Sequence, residues 1–167
     1  MSESNVYKLD YIKDKLEIDK IQGGLMAMDI FVLINYSLSL EYPNTYKEKL
    51  KLVGKEHLKY IIKRYNSKHL KNIQTLKFIL EKIKISVLGE IKVLLIGKNK
   101  YIINLYNGSF PNQYKKLFGF QKLPVDYFMS GIIEGALEFV FNKKAKVKEK
   151  VCIAQGRKNC IFEGTLI

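Results

Sequence analysis

The chain of 167 residues has the length of one domain, and its hydrophobic fraction of 47% is that of a globular protein, not of a disordered one. The net charge of +13 invites a nucleic-acid partner, but only Arg64 and Arg157 of the 29 basic residues are arginines. Specific recognition of bases and two-pronged hydrogen bonding to phosphates rely on arginine, so we expect no specific nucleic-acid partner. We interpret the dispersed lysines as a solvated surface. The densest lysine run, residues 143–150, favours only weak attraction of anions.

Residues 1–20 mix charged and apolar side chains, a pattern that does not indicate a signal peptide. We expect them to form a polar, partly helical lead-in, followed by a single domain over residues 21–167 with a break at Gly23 and Gly24. The longest apolar run, residues 30–34, is too short to span a bilayer. These features predict a cytoplasmic protein without a membrane span, in which both cysteines are reduced.

Three helices are predicted after the glycine pair, over residues 25–40, 45–65 and 70–83. The first carries no charge between Asp29 and Glu41, which indicates burial on most faces or packing at a subunit interface. The predicted inward stripes are Tyr46, Leu50, Val53, His57, Tyr60 and Ile61 in the second helix, and Ile73, Leu76, Ile79, Leu80 and Ile83 in the third.

The period then changes to that of strands. Residues 85–96 and 101–106 are short, apolar and β-branched around a turn at residues 97–100, which predicts a hairpin. A second hairpin is predicted from residues 146–153 and 159–166 around Gly156. Helices, hairpin, helix, hairpin is an order typical of an α+β fold, with an antiparallel sheet packed against helices.

A fourth helix is predicted over residues 124–142, with Pro124 in its first turn. Gly131 and Gly135 lie four apart on one face of it. Each glycine costs a helix about 1 kcal/mol relative to alanine, so the pair indicates close approach of another backbone or of a ligand. Tight packing of the helix on the sheet is the plainer alternative.

Few residues suggest catalysis. His57 lies on the apolar stripe of its helix and is interpreted as a core histidine, and His69 follows a sequence typical of a helix start. No spacing supports a Ser-His-Asp or Cys-His arrangement, and no glycine-rich loop is placed to hold a phosphate. No nicotinamide or flavin motif is present either, so we expect no enzyme.

The most informative pattern is Glu149, Cys152 and Cys160, because a hairpin turning near Gly156 brings the two cysteines within a few ångströms of each other. Three interpretations stay open: small buried residues, a disulfide, or thiolate ligands of zinc completed by carboxylates. In a regular strand Glu149 and Cys152 point to opposite faces. Both reach one metal only if the strand is bulged or begins after Glu149.

Residues 124–135, followed by Glu149, Cys152, Gly156, Cys160 and Phe162, resemble the C-terminal half of the 4-vinyl reductase domain family. That family shows a Pro-Val-Cys helix start, two glycines four apart, then Glu-x2-Cys, a glycine turn and Cys-x-Phe. The resemblance extends more loosely upstream, through Gly54-Lys55 and Asn107-Gly108, and covers roughly residues 25–163.

The resemblance implies a fold shared with core subunits of the TRAPP vesicle-tethering complex and with haem nitric-oxide sensor domains, often dimeric. It implies a structural zinc held by Glu149, Cys152 and Cys160, with Asp126 standing where the family has its early cysteine. It also implies a role in binding hydrophobic or aromatic small molecules, although no residue identifies the ligand. It brings no reductase site with it.

We therefore expect a non-enzymatic ligand-binding domain, homodimeric, with an apolar pocket between the helices and the sheet and with zinc as a structural metal. The alternatives are an interaction scaffold like the tethering-complex subunits and an accessory protein of tetrapyrrole reduction. A scaffold would present a large exposed apolar patch without an enclosed cavity.

Overall fold

A computed structural model describes residues 9–12, 15–18, 21–23, 28–64, 73–83, 89–95 and 97–167. The described elements, in chain order, are β1 (Leu9–Ile12), β2 (Lys15–Ile18), β3 (Ile21–Gly23), α1 (Met28–Glu41), α2 (Tyr46–Arg64), α3 (Ile73–Ile83), β4 (Glu90–Leu95), β5 (Lys100–Tyr106), α4 (Ser109–Phe118), α5 (Tyr127–Phe141), β6 (Ala145–Val151) and β7 (Asn159–Leu166). No helix among these ranges is both long enough and apolar enough to cross a membrane.

The main sheet has four strands in the order β4-β5-β7-β6, and every neighbouring pair is antiparallel. Buried side chains alternate with more exposed ones along β5, β6 and β7, so one face of the sheet turns inward. Helix α5 packs against this sheet. Ile103, Val147 and Phe162 from the strands and Ile133 and Leu137 from α5 are all fully buried. The predicted α+β fold, with an antiparallel sheet packed against helices, is confirmed.

The first strands correct the expectation for the lead-in. β2 pairs with β1 on one side and with β3 on the other in a separate three-stranded antiparallel sheet, so the predicted helical character of residues 1–20 is wrong where they are described. The reason is visible in the sequence, because β1 and β2 mix apolar and charged residues with a period nearer two than 3.6. The division into a lead-in and a domain over residues 21–167 stays a prediction.

The predicted hairpins and the stripe of α3 are confirmed, but two helices differ from the prediction. Helix α5 begins at Tyr127 because the Asp126 side chain caps it, so Pro124 precedes the cap and does not lie in the first turn. Helix α4 was not predicted, because Asn107 and Gly108 indicate only a turn at the end of the preceding strand. In the structure Pro111 lies in the first turn of α4, where its missing N–H costs nothing. The predicted positions 25–27, 65, 70–72, 85–88 and 96 lie outside the described residues.

The inward face of α2 is rotated from the predicted stripe. Leu50, Leu58 and Ile61 are buried, whereas Val53 and Tyr60 are more than half exposed. The rotation follows from contact with α5, which places Gly54 inward where a purely apolar pattern assigns Val53. Hydrophobicity alone could not identify a glycine as the centre of a helix contact.

Helices α2 and α5 approach each other backbone to backbone through glycines. A Cβ atom added to Gly131 would overlap the carbonyl group of Lys51, and one added to Gly54 would overlap the carbonyl oxygen of Phe128. Gly135 continues the contact, where a Cβ would meet Leu58 Cδ2 at 3.0 Å. The predicted close approach of another backbone is therefore present, and that backbone is helix α2 and not the sheet.

The edge strand β6 has backbone groups that would otherwise pair with another strand. Val147 N–H donates to Glu134 Oε2 at 2.9 Å, and Ala145 N–H donates to Glu138 Oε1 at 3.3 Å. Glutamates four apart on a helix are about 6 Å apart along its axis, and residues two apart on a strand about 6.7 Å, so the two spacings match. From α2, Lys51 Nζ donates to the Val147 carbonyl at 2.7 Å. Side chains of two helices thus close this edge.

Helix α1 is less deeply buried than its sequence indicates. Only Val32 and Asn35 are buried, whereas Ile30, Leu33 and Ile34 are 50%, 49% and 48% exposed. Burial on most faces is therefore wrong for α1. The other expectation, packing at a subunit interface, stays a prediction.

We predict that Gly131→Ala lowers the free energy of unfolding by about 2–3 kcal/mol, because the new methyl group forces the two helix backbones apart. Intrinsic helix propensity alone would stabilise the variant by about 1 kcal/mol, so the sign of the change separates the two effects. Urea unfolding followed by circular dichroism measures it. Gly135→Ala is the matched control, since its methyl group meets a movable leucine terminus, and should cost less. A Gly131→Ala protein as stable as the unchanged one would contradict the backbone contact.

Candidate functional site

Glu149, Cys152 and Cys160 meet at the end of the last hairpin. One carboxylate oxygen and the two sulfur atoms all lie within 4.8 Å of one another, and all three residues are buried. Glu149 comes from β6, Cys152 follows the end of that strand, and Cys160 lies near the start of β7. Three of the four predicted ligand residues are thus brought together.

A bulge in β6 makes this meeting possible. Glu149 pairs with Phe162 while Val151 pairs with Ile161, so the register shifts between Glu149 and Val151. The shift turns Glu149 and Cys152 toward the same side, which a regular strand would not allow. After Cys152 the chain makes one short turn and reverses at Gly156, whose φ of 83° suits glycine.

The two sulfur atoms are 3.7 Å apart and the cysteines are free. A disulfide needs an S–S distance of about 2.05 Å, whereas two thiolates about 2.3 Å from a tetrahedral zinc lie about 3.8 Å apart. Backbone N–H groups also point at the sulfurs, and Ile153 N–H donates to Cys160 Sγ at 3.2 Å. The separation is that of the S–H···S hydrogen bond from Cys160 to Cys152, and it would also suit a thiolate pair around a tetrahedral metal.

Glu149 has one oxygen bonded and one without a partner. Its Oε2 accepts from the Asp126 backbone N–H at 2.8 Å, whereas its buried Oε1 has no hydrogen-bond partner among the described residues. A buried oxygen without a partner is costly, and it can be satisfied by a proton shared with the Cys152 or Cys160 thiol, whose hydrogen bonds with Glu149 affect its pKa, or by a metal ion. A metal ion beside the two sulfurs would satisfy it, and the donor set of one carboxylate and two thiolates suits zinc.

Asp126 lies beside the cluster but outside the group of three. Its Oδ1 accepts from Met129 N–H at 3.1 Å and caps α5, while its backbone N–H orients Glu149. Burial and the neighbouring Glu149 raise the pKa of Asp126 well above its ordinary value. The role visible in the structure is that of a helix cap that joins α5 to β6.

The protonation of the cluster follows from burial and from its hydrogen bonds. Burial and the charge on Cys152 raise the pKa of Glu149 to about 9. Hydrogen-bond donation from Cys160 outweighs burial and lowers the pKa of Cys152 to about 7, with help from the amides of Val125 and Ala154. The same donation, together with burial, raises the pKa of Cys160. Near neutral pH Glu149 and Cys160 therefore hold protons that a metal would displace.

A separate cleft of about 510 Å³ lies between α2 and α5. Its lining includes the apolar side chains Leu52, Leu58, Ile62 and Phe139, together with Gly135. The predicted pocket was to lie between the helices and the sheet, but the described core there is filled by side chains such as Leu137 and Phe162. The sequence signal for the cleft is the pair Gly131 and Gly135. This pair indicates close approach of a backbone or a ligand, but it does not identify a groove.

His57 joins neither site. His57 is half-buried, its ring lies 5.7 Å from that of Phe128, and burial lowers its pKa. That position fits the predicted packing histidine more closely than a ligand. His69 lies outside the described residues.

The fold is shared with a sensory domain, a trafficking protein particle (TRAPP) complex subunit and an H-NOX protein. The phenol-responsive sensory domain of the transcription activator PoxR is similar over 95% of this chain and 84% of its own, with a TM-score of 0.72 and 14% identity. A TRAPP complex subunit 3 from Naegleria fowleri has a TM-score of 0.58 at 15% identity over 84% of this chain and 95% of its own. An H-NOX protein from S. oneidensis has a TM-score of 0.59 at 11% identity over 88% of this chain and 79% of its own. The predicted likeness to TRAPP subunits and nitric-oxide sensor domains is confirmed.

The sequence comparisons define the family. The family model of the 4-vinyl reductase domain matches residues 117–166. The uncharacterized protein MJ1460 of Methanocaldococcus jannaschii is 31% identical over 161 residues, which cover 92% of this chain and 83% of that protein. A vinyl-4-reductase family protein of the same organism shares the fold with a TM-score of 0.60 and 24% identity, over 87% of this chain and 84% of its own. The chain belongs to the 4-vinyl reductase domain family.

Proposed function

We propose that this chain is a non-catalytic domain that binds a small hydrophobic molecule. The observation that carries the proposal is the cleft between α2 and α5, whose volume of about 510 Å³ lies within the range of ligand pockets and whose floor is apolar. Membership of the 4-vinyl reductase domain family and the likeness to a phenol-responsive sensory domain support the same role. The domain would bind a hydrophobic compound as part of sensing it and would not catalyse a reaction of that compound.

A leucine and the valine that follows it on α2 allow a matched test of the cleft. Leu52 and Val53 are both more than half exposed on α2, but only Leu52 lines the cleft. We predict that the neutral dye N-phenyl-1-naphthylamine gains fluorescence on binding, and that Leu52→Asn weakens binding about fivefold, since a partly covered leucine contributes on the order of 1 kcal/mol. Val53→Asn is the control and should bind as the unchanged protein does. No dye binding, or equal losses in both variants, would refute a ligand site in this cleft.

We further propose that Glu149, Cys152 and Cys160 hold a structural zinc ion. The partnerless Glu149 Oε1, the sulfur separation of 3.7 Å and the buried donor set support this. Asp126 is our candidate for the fourth ligand because its carboxyl group is buried beside Glu149. A bound ion would supply charge neutralisation and would fasten the last hairpin to the start of α5, without taking part in a reaction.

Replacing one thiolate should remove metal and stability together. We predict that Cys152→Ser lowers zinc content, measured by elemental analysis of protein purified without chelators, and lowers the Tm by roughly 10 °C, which corresponds to about 3 kcal/mol. Ala154→Ser is the control, because it adds a hydroxyl group to the same buried turn without removing a ligand. Asp126→Asn keeps the helix cap, so zinc retained in that variant would show that Asp126 only caps α5. A zinc-free unchanged protein of normal stability would refute the site.

The protons on the cluster predict the pH dependence of zinc binding. Because the pKa of Glu149 is raised to about 9 and that of Cys160 is raised as well, zinc must displace protons from both at neutral pH. Zinc affinity should therefore rise between pH 6 and pH 8, by up to about tenfold per pH unit for each displaced proton. Competition with a chelator of known affinity at each pH measures this. Affinity that stays constant over this range, after correction for the chelator, would contradict the proposed ligands.

Helix α1 supports the proposal of a homodimer. Its face of Ile30, Leu33 and Ile34 is half exposed, and the helix carries no lysine or arginine in a chain whose net charge is +13. A second copy of such a basic protein approaches most easily through a face without positive charge. We predict that light scattering finds a dimer, and that Leu33→Lys converts it to a monomer while Val53→Lys does not. A monomeric unchanged protein would rule the dimer out, and a bound foreign protein at this face would instead favour the scaffold alternative.

A further inference from the structure

The cleft between α2 and α5 combines an apolar floor with a charged rim. Leu58 is fully buried, and Ile62 and Phe139 pack partly buried against the core, so they form a floor that a ligand can cover. Gly135 leaves that floor open because it has no side chain. Four lysines and two glutamates complete the lining: Lys55, Lys59, Lys63, Lys144, Glu56 and Glu138. A purely hydrophobic ligand would leave this excess of positive charge unused.

Both glutamates and two of the lysines are already engaged with one another or with α5. Lys55 Nζ lies 2.7 Å from Glu134 and 3.2 Å from Glu138. Burial would lower the pKa of Lys55, but its hydrogen bonds to these two carboxylates outweigh burial and raise it. Lys59 Nζ lies 2.6 Å from Glu56. These pairs leave little net charge on the side of the cleft that they occupy.

Lys63 and Lys144 are different, because neither forms an ion pair with any residue that the structure describes. Lys63 lies in the last turn of α2, and Lys144 follows α5, which ends at Phe141. Because Gly131 approaches Lys51 and Gly135 approaches Lys55, the two helices run in the same direction. Both unpaired lysines therefore lie at the same end of the cleft, beyond the apolar floor.

We propose that the cleft binds a monoanionic amphiphile, an aliphatic or aromatic carboxylate, with its apolar body on Leu58, Ile62 and Phe139 and its carboxylate at Lys63 and Lys144. The inference rests on the proposed ligand-binding function and adds the chemical class of the ligand. An ammonium group is a point charge that holds a carboxylate without demanding the two-pronged geometry of arginine. The lining thus offers one binding mode to each half of such a molecule.

The probe is decanoate, compared with 1-decanol, which has the same chain length and no charge. Titration of the isotope-labelled full chain, followed by amide chemical shifts, locates binding and gives both affinities. We expect decanoate to shift the amides of Lys63, Gly135 and Lys144, and to bind about tenfold more tightly than decanol at low salt. Added salt should remove much of the difference, because the lysines are exposed.

Charge variants separate the local contact from the general field of a basic protein. We expect Lys63→Gln with Lys144→Gln to weaken decanoate binding about tenfold and to leave decanol binding unchanged. Lys98→Gln with Lys100→Gln is the control, because it removes the same charge from exposed residues that do not line the cleft and should weaken decanoate binding much less.

The outcomes distinguish this inference from the function on which it rests. If decanol binds in the cleft as tightly as decanoate, the hydrophobic site stands and the anionic class is wrong. The anionic class is also wrong if both double variants lose decanoate affinity equally, or if neither does. If neither probe shifts the amides of the cleft residues, both the inference and the proposed cleft fail.

Discussion

The contact between the backbones of α2 and α5 is the constraint on which the other features depend. Gly54 and Gly131 let the helices approach until the carbonyl groups of Phe128 and Lys51 occupy the space where Cβ atoms would lie. At that separation Lys51 and Lys55 reach Glu134, and Lys55 also reaches Glu138. Because these groups are only partly buried, their ion pairs fix the relative position of the two helices more than they add to stability.

The same carboxylates also accept hydrogen bonds from β6, so the position of the helices is linked to that of the sheet. Burial would raise the pKa of Glu134, but hydrogen bonds from Lys55 and from the Val147 amide outweigh it and lower the pKa, so this group is ionised where it meets β6. Further along, β6 reaches Glu149, whose Oε2 accepts from the Asp126 N–H at the start of α5. Helix α5 is thus joined to one strand at its middle and at its N-cap residue. The Asp126 amide thus holds the Glu149 carboxyl group in place.

The parts that the sequence predicted are those where one local pattern decides the structure. The stripe of α3 and both hairpins follow from periodicity and turn residues. The two cysteines lie close together because they flank the turn of a short hairpin. The parts that it missed depend on partners distant in sequence. The apolar pattern predicts that Val53 points inward, because hydrophobicity alone cannot favour Gly54 over valine as a buried residue. The bulge beside Glu149 is visible only in the register of β6 with β7. Likewise, Lys63 and Lys144 line the same end of the cleft only because α2 and α5 run in the same direction.

The positions of the two candidate sites along α5 bear on what each can do. The cysteine cluster lies beside Asp126, the N-cap of α5, whereas the α5 residues that line the cleft begin at Gly135, nine residues later and about 14 Å along the axis. The cysteine cluster and the cleft share none of their residues. What the two share is α5 itself, which contributes a wall to the cleft and is fastened at its start by Asp126 and Glu149. A metal there would act on ligand binding only by fixing that wall, which is the physical meaning of a structural ion in this fold.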